Sequence, residues 1–146
     1  MDINKDLNIN INALHEEWLR QPTAYMKYAE LAAQAQRTRD MAKEKIDVVR
    51  AECDNKIRVS PKDYTGCPKT KDGEFKPTEG WITSTIQGLP EYQKANEGYH
   101  EANYNLNLLQ GAVRAFDHRK KALEMEVQLW SAGYYSTHAH RPWTVG

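Results

Sequence analysis

Apolar and aromatic side chains recur at alternating steps of three and four along two long segments of the chain. In the C-terminal segment they fall at Tyr92, Ala95, Tyr99, Ala102, Leu106, Leu109, Val113, Phe116, Leu123, Val127, Trp130 and Tyr134, with Lys120 the one interruption. In the N-terminal segment Tyr25, Tyr28, Ala32, Ala35, Ala42, Ile46, Val49 and Cys53 keep the same spacing, broken only by Arg39. This spacing turns one face of an α-helix toward a partner and, when sustained, makes a coiled-coil seam. The predicted fold is all-α: a long antiparallel helical hairpin, coiled-coil-like, with short N-terminal and connecting helices. Pairing the seams sets Ala42 opposite Leu109 and Ala35 opposite Phe116, small against large.

Punctuation residues divide the chain further. Residues 1–10 are polar and read as frayed or extended. A short helix fits Asn12 to Arg20, and Pro22 then breaks it, since proline disfavours helical geometry in the residue before it. The first long helix is predicted from Thr23 to about Arg58. Residues 59–77 hold prolines, glycines and lysines and form a loop. Thr78-Glu79 starts a short helix carrying Trp81, Ile82, Ile86 and Leu89. Pro90 suits the first turn of the last helix, and Gly133 suits its end. Residues 135–146 read as a flexible tail, so the whole of 1–146 is expected to be one helical domain.

A second apolar stripe on the last helix, Leu108, Ala112, Ala115, Ala122 and Leu129, gives that helix two flanks to cover. These residues are the predicted interface of a homo-oligomer.

Composition narrows the function classes. Lys+Arg and Asp+Glu both number 20, so no global basic field marks the chain for nucleic acid, and such binding must rest on local clusters. Cys53 and Cys67 belong to no CxxC pair and read as free thiols in a reducing compartment. The N-terminus has no apolar leader, and no stretch approaches the roughly 20 apolar residues of a membrane span. The expectation is a cytoplasmic protein without a membrane partner.

Candidate chemistry is sparse. His138-Ala139-His140 offers too few ligands for a structural zinc site. His118 and Asp117 are adjacent on a helix and do not face each other, and Glu124 and Glu126 read as solvated positions. No nucleotide-binding, nucleophile-elbow or metalloprotease motif is present. No enzyme, metal or cofactor is predicted. The basic residues carry more. Arg114, His118 and Lys121 share one helix face, with Arg119 and Lys120 extending it. Lys56-Ile57-Arg58-Val59 closes the first long helix, and Lys62, Tyr64, Lys69 and Lys71 follow in the loop. Lysine and arginine neutralise phosphates, and exposed aromatics stack on unpaired bases. The same lysines can equally solubilise a loop or favour a helix C-terminus.

The alanine-rich, tyrosine-bearing helix, the Lys56-Ile57-Arg58-Val59 segment, Tyr64-Thr65-Gly66 and the final long helix together resemble the UvsY-type recombination mediators of tailed phages. The resemblance spans roughly residues 18–134, mostly through helical pattern. Ser60, Pro61, Lys62 and Asp63 separate the basic segment from its tyrosine, a longer spacing than in that family. The resemblance implies a small helical homo-oligomer, such as a ring, from a phage or prophage. Such a protein would bind single-stranded DNA and load a RecA-like recombinase in place of the single-strand-binding protein. It assigns DNA contact to Lys56 and Arg58 and stacking to Tyr64. The rival reading from the residues themselves is a coiled-coil scaffold or adaptor, as in phage morphogenesis or host inhibition, whose partner is protein.

Overall fold

The computed structural model describes residues 2–138, and these are all-α. Short helix α1 (Ile3–Leu7) and a single 3-10 turn (Ile11–Ala13) precede the long helix α2 (Leu14–Val59). A second 3-10 turn (Pro61–Asp63) and a loop lead to α3 (Glu79–Gly88), the long helix α4 (Pro90–Ser131) and α5 (Tyr134–His138). Among the described residues the only β pairing is an isolated antiparallel bridge between Lys69 and Phe75.

The local signals act largely as predicted from Thr78 onward. Thr78 caps α3, its hydroxyl accepting from the Trp81 amide at 3.3 Å. Pro90 opens α4, where a missing N–H costs nothing. Gly133 follows the end of α4 with φ of 75°, the left-handed conformation in which glycine carries no Cβ penalty.

Two expectations near the N-terminus are corrected. Residues 3–7 are helical, because Asp2 caps them through bonds from the Asn4 and Lys5 amides at 3.1 and 3.3 Å. Pro22 also fails to break the chain, and α2 runs through it. An interior proline costs about 3 kcal/mol through its lost N–H and its clash with the preceding turn. Tertiary contacts on both sides offset that cost. The Gln21 side chain donates to the Phe116 carbonyl at 2.8 Å, and Tyr28 stacks on Phe116 with ring centroids 4.7 Å apart. Burying Phe116 alone contributes about 1.5–3 kcal/mol, and the aromatic pair adds about 0.5–1.5 kcal/mol.

The chain groups into two compact units. The first holds the residues up to Ala33 and those from Asn107 on. Its core is Tyr28, Ala112 and Phe116, with Ile3, Leu7, Leu31, Leu109 and Val113 packed around them. Within this unit α2 and α4 run antiparallel, as Glu17 meets Arg119 and Tyr28 meets Phe116. The stack sets Phe116 opposite Tyr28, seven residues before the predicted partner Ala35. Leu109 packs in the same Tyr28 cluster. A heptad pattern shifted by seven superimposes on itself, so spacing cannot choose between these registers.

The second unit spans Gln34–Leu106. Here Cys53 and Ile57 of α2, Ile82 and Ile86 of α3 and Tyr92 of α4 form the core, with Tyr64, Trp81 and Leu89 against it. Arg50 donates to the Tyr92 hydroxyl at 2.9 Å, and Cys53 donates to Glu91 at 3.5 Å, so this part of α2 also runs antiparallel to α4. The loop is ordered. Thr70 and Glu74 close a tight turn at 2.8 Å, Lys76 donates to the Pro68 carbonyl at 2.8 Å, and Trp81 reaches the Thr65 carbonyl at 3.3 Å.

Candidate functional site

The predicted DNA-contacting residues divide between the two units. In the second unit Arg58 is committed to carboxylates. It bonds Asp54 at 2.5 Å and grips Glu79 through two contacts of 2.7 and 2.8 Å. These hydrogen bonds, donated to Asp54 first and Glu79 second, raise its affinity for its proton further. Tyr64 lies half-buried against the Cys53–Tyr92 core rather than open for stacking. Lys69 sits 4.9 Å over the Phe75 ring. Lys56, Lys62 and Lys71 are exposed, and among the described residues none of them has an ion pair. Asp63, Asp72 and Glu74 share their segment, so the loop's positive charge is largely compensated.

In the first unit Arg114, His118 and Lys121 are exposed on α4. Arg119, which the sequence places beside them, is not part of that cluster. It is only 4% exposed. Its guanidinium donates to the carbonyls of Leu7 and Asn8 at 3.1 and 2.9 Å, to Gln21 Oε1 at 2.6 Å and to Glu17. Arg20 adds a bond to Glu17 at 2.9 Å and one to the Asn8 carbonyl at 3.3 Å. Burial alone would raise the Glu17 carboxyl, but Arg20 and Arg119 outweigh it and hold the group below its ordinary range. Arg119 thus fills the seam position that Lys120 appeared to interrupt, and it ties the end of α1 to both long helices. Asp6 completes the attachment, accepting from Tyr28 at 2.6 Å and Lys27 at 3.1 Å.

The predicted oligomer stripe is divided as well. Ala112 is buried in the Tyr28–Phe116 core. Ala115 and Leu129 are half-buried, Ala122 is exposed and Leu108 is 55% exposed.

The sequence reading did not identify an open apolar groove. A groove of about 620 Å³ lies in the first unit between the start of α2 and the end of α4. Its apolar walls are Ile11, Leu14, Trp18, Val127 and Trp130, with His15, Glu124 and Gln128 among the polar positions, and among the described residues no lysine or arginine lines it. Trp18 and Trp130 are 42% and 55% exposed, unusual for residues that normally bury most of their surface. A second groove of about 450 Å³ shares Trp18 and adds Pro22, Tyr25, Met26, Asp117 and Lys120. Trp18 therefore contributes to both grooves.

The Cys53 thiol is pushed up by burial and by the neighbouring Glu91 carboxylate, so it is a poor nucleophile at neutral pH. Among the described residues no cluster of His, Cys, Asp and Glu could hold a metal. The pair His138 and His140 is not fully covered, because Ala139 and His140 lie outside the described residues. No described helix is long and apolar enough to cross a membrane. Comparison with protein-family models, curated proteins and solved structures gives no match.

Proposed function

We propose that this chain is a protein-interaction module, a helical-hairpin scaffold or adaptor that docks an apolar segment of a partner protein. One observation carries the reading: the groove between Trp18 and Trp130, apolar, aromatic and, among the described residues, lined by no lysine or arginine. Tryptophan dominates binding hot spots because it buries a large rigid surface at low entropic cost. The described lining of the groove, Trp and aliphatic side chains with Glu124, has little to offer phosphate. Its natural ligand is an amphipathic segment presenting aliphatic or aromatic anchors at helical spacing. Exposed Leu108 and Ala122 leave a face for self-association, and an oligomer would multiply such sites.

The test is selection of random displayed peptides on the full chain, repeated on a Trp18→Ala, Trp130→Ala variant. Peptides rich in apolar anchors should be enriched on the wild type and lose at least tenfold in affinity on the variant. Enrichment indifferent to the two substitutions, or no enrichment, would end this reading.

Lys56, Lys62 and Lys71, exposed in the same unit as the half-open Phe75 ring, favour a second reading as a single-strand-binding recombination mediator. In it a homo-oligomer holds unpaired DNA and presents it to a RecA-like recombinase. Oligothymidine binding across a salt series tests it. Replacing the three lysines by alanine should flatten the log–log salt slope by about 2, at roughly 0.7 per lost phosphate contact. Arg58→Ala should leave the slope unchanged, since that side chain is held by Asp54 and Glu79. Failure to bind at physiological salt would remove this second reading.

A further inference from the structure

The two grooves of the first unit meet at Trp18, and their walls keep one spacing. On one side stand Ile11, Leu14, Trp18, Gln21 and Tyr25. On the other stand Asp117, Lys120, Glu124, Val127 and Ser131 of α4. Each series advances by alternating three and four, the spacing at which the ridges of one helix receive another. The stretch of α4 from Asp117 to Ser131 is about 21 Å long at 1.5 Å per residue.

The walls also select the conformation of what fits between them. They are helical, so their backbone N–H and C=O groups are largely spent within their own turns. An extended peptide would find no strand edge to pair with there. A helix satisfies its own backbone and offers side chains at the spacing of both walls.

Charge narrows the occupant further. Asp117, Lys120 and Glu124 are exposed along the α4 wall in the order minus, plus, minus. Among the described residues none of the three has an ion pair.

We propose that the two grooves together receive one amphipathic helix of a partner protein, about four turns long, whose flank carries the charge order plus, minus, plus. The proposal rests on the first groove being a protein-docking site, and it adds the length, conformation and charge pattern of what docks. Apolar anchors meet Leu14, Trp18 and Val127, cations meet Asp117 and Glu124, and an anion meets Lys120. The charge order reads the same in both directions, so it selects the partner without choosing its orientation. An isolated helix of about four turns is marginal in water, so the segment gains its helix on docking.

Two fluorescein-labelled peptides of about 14 residues test this, both with leucines at three-four spacing. One carries Lys-Glu-Lys along its flank and the other Glu-Lys-Glu. Titration with the full chain, read by fluorescence anisotropy, should show the Lys-Glu-Lys peptide binding about tenfold tighter at low salt. The gap should narrow at about 0.5 M salt, where the charges are screened. An Asp117→Lys, Lys120→Glu, Glu124→Lys chain should reverse the preference, and circular dichroism checks that its helices are intact. Equal affinities, an unreversed preference in the folded variant, or no binding of either peptide would overturn the proposal. So would a light-scattering mass that rises with concentration in the wild type and stays monomeric in Trp18→Ala, since a second copy would then fill the site.

The random-peptide selection judges the docking reading separately. Enrichment that depends on Trp18 and Trp130, with the two designed peptides binding alike, would keep the groove and retire the charge pattern. No enrichment would retire both.

Discussion

Replacing Arg119 by methionine removes a cation from the interior of the first unit while keeping most of the side-chain volume. The guanidinium supplies bonds to the Leu7 and Asn8 carbonyls, to Gln21 and to Glu17, and its side chain is 2% exposed. Removing one member of a buried ion pair costs about 3–5 kcal/mol, because the remaining charge is stranded. Here Glu17 keeps its 2.9 Å contact with Arg20, which puts the expected loss at the lower end, about 3 kcal/mol. Urea unfolding followed by helical circular dichroism measures it, at one fixed protein concentration because self-association would shift the midpoint. Arg114→Met, on the exposed face of the same helix, should stay within about 0.5 kcal/mol of wild type. A cycle with Glu17→Gln should show coupling of about 1 kcal/mol or more. A loss below about 1 kcal/mol for Arg119→Met would refute the reasoning, because the desolvation of the guanidinium would then cancel its bonds.

Three further outcomes follow from the same geometry. Glu17 and Asp6 are both held below their ordinary values of 4.5 and 3.8. Their contribution is therefore full above those values and lost as pH falls through the depressed folded-state values. Unfolding midpoints measured from pH 6 downward should decline in that window, and less so in a Glu17→Gln, Asp6→Asn variant. Tyr28 is pushed up to about 12 by burial and by the Asp6 carboxylate. Its phenolate absorbance should thus appear well after that of ordinary tyrosines near 10, together with that of Tyr135, which its bond to Glu126 also pushes up to about 12. A Tyr28→Phe chain should lose about half of that late step. Gly73 closes the loop turn at φ of 81° with open space around it, so Gly73→Ala should cost about 1–2 kcal/mol through backbone strain alone. An unchanged midpoint would mean that the turn relaxes freely.

Helix content and the buried faces were legible in the spacing of apolar residues, because helical periodicity is a local property that each segment carries by itself. Tyr28, Ala35 and Cys53 of α2, and Tyr92, Ala95, Leu106, Phe116 and Leu123 of α4, are buried as their positions in the seams require. The start of α3, the first turn of α4 and the glycine after it were local too, since capping acts over three or four residues.

Register, the fate of Pro22 and the role of Arg119 were decided only in three dimensions. A heptad repeat is degenerate under a shift of seven, so only specific fits such as Tyr28 on Phe116 select the pairing. A proline's cost is local, but the contacts that outweigh it come from residues almost a hundred positions away. An arginine in a run of Arg and Lys reads as surface charge until the carbonyls of Leu7 and Asn8 are seen to close over it. The groove was hidden for the same reason. A seam residue is buried only if the other helix offers a partner, and whether one stands opposite Trp130 is a question that sequence spacing cannot answer.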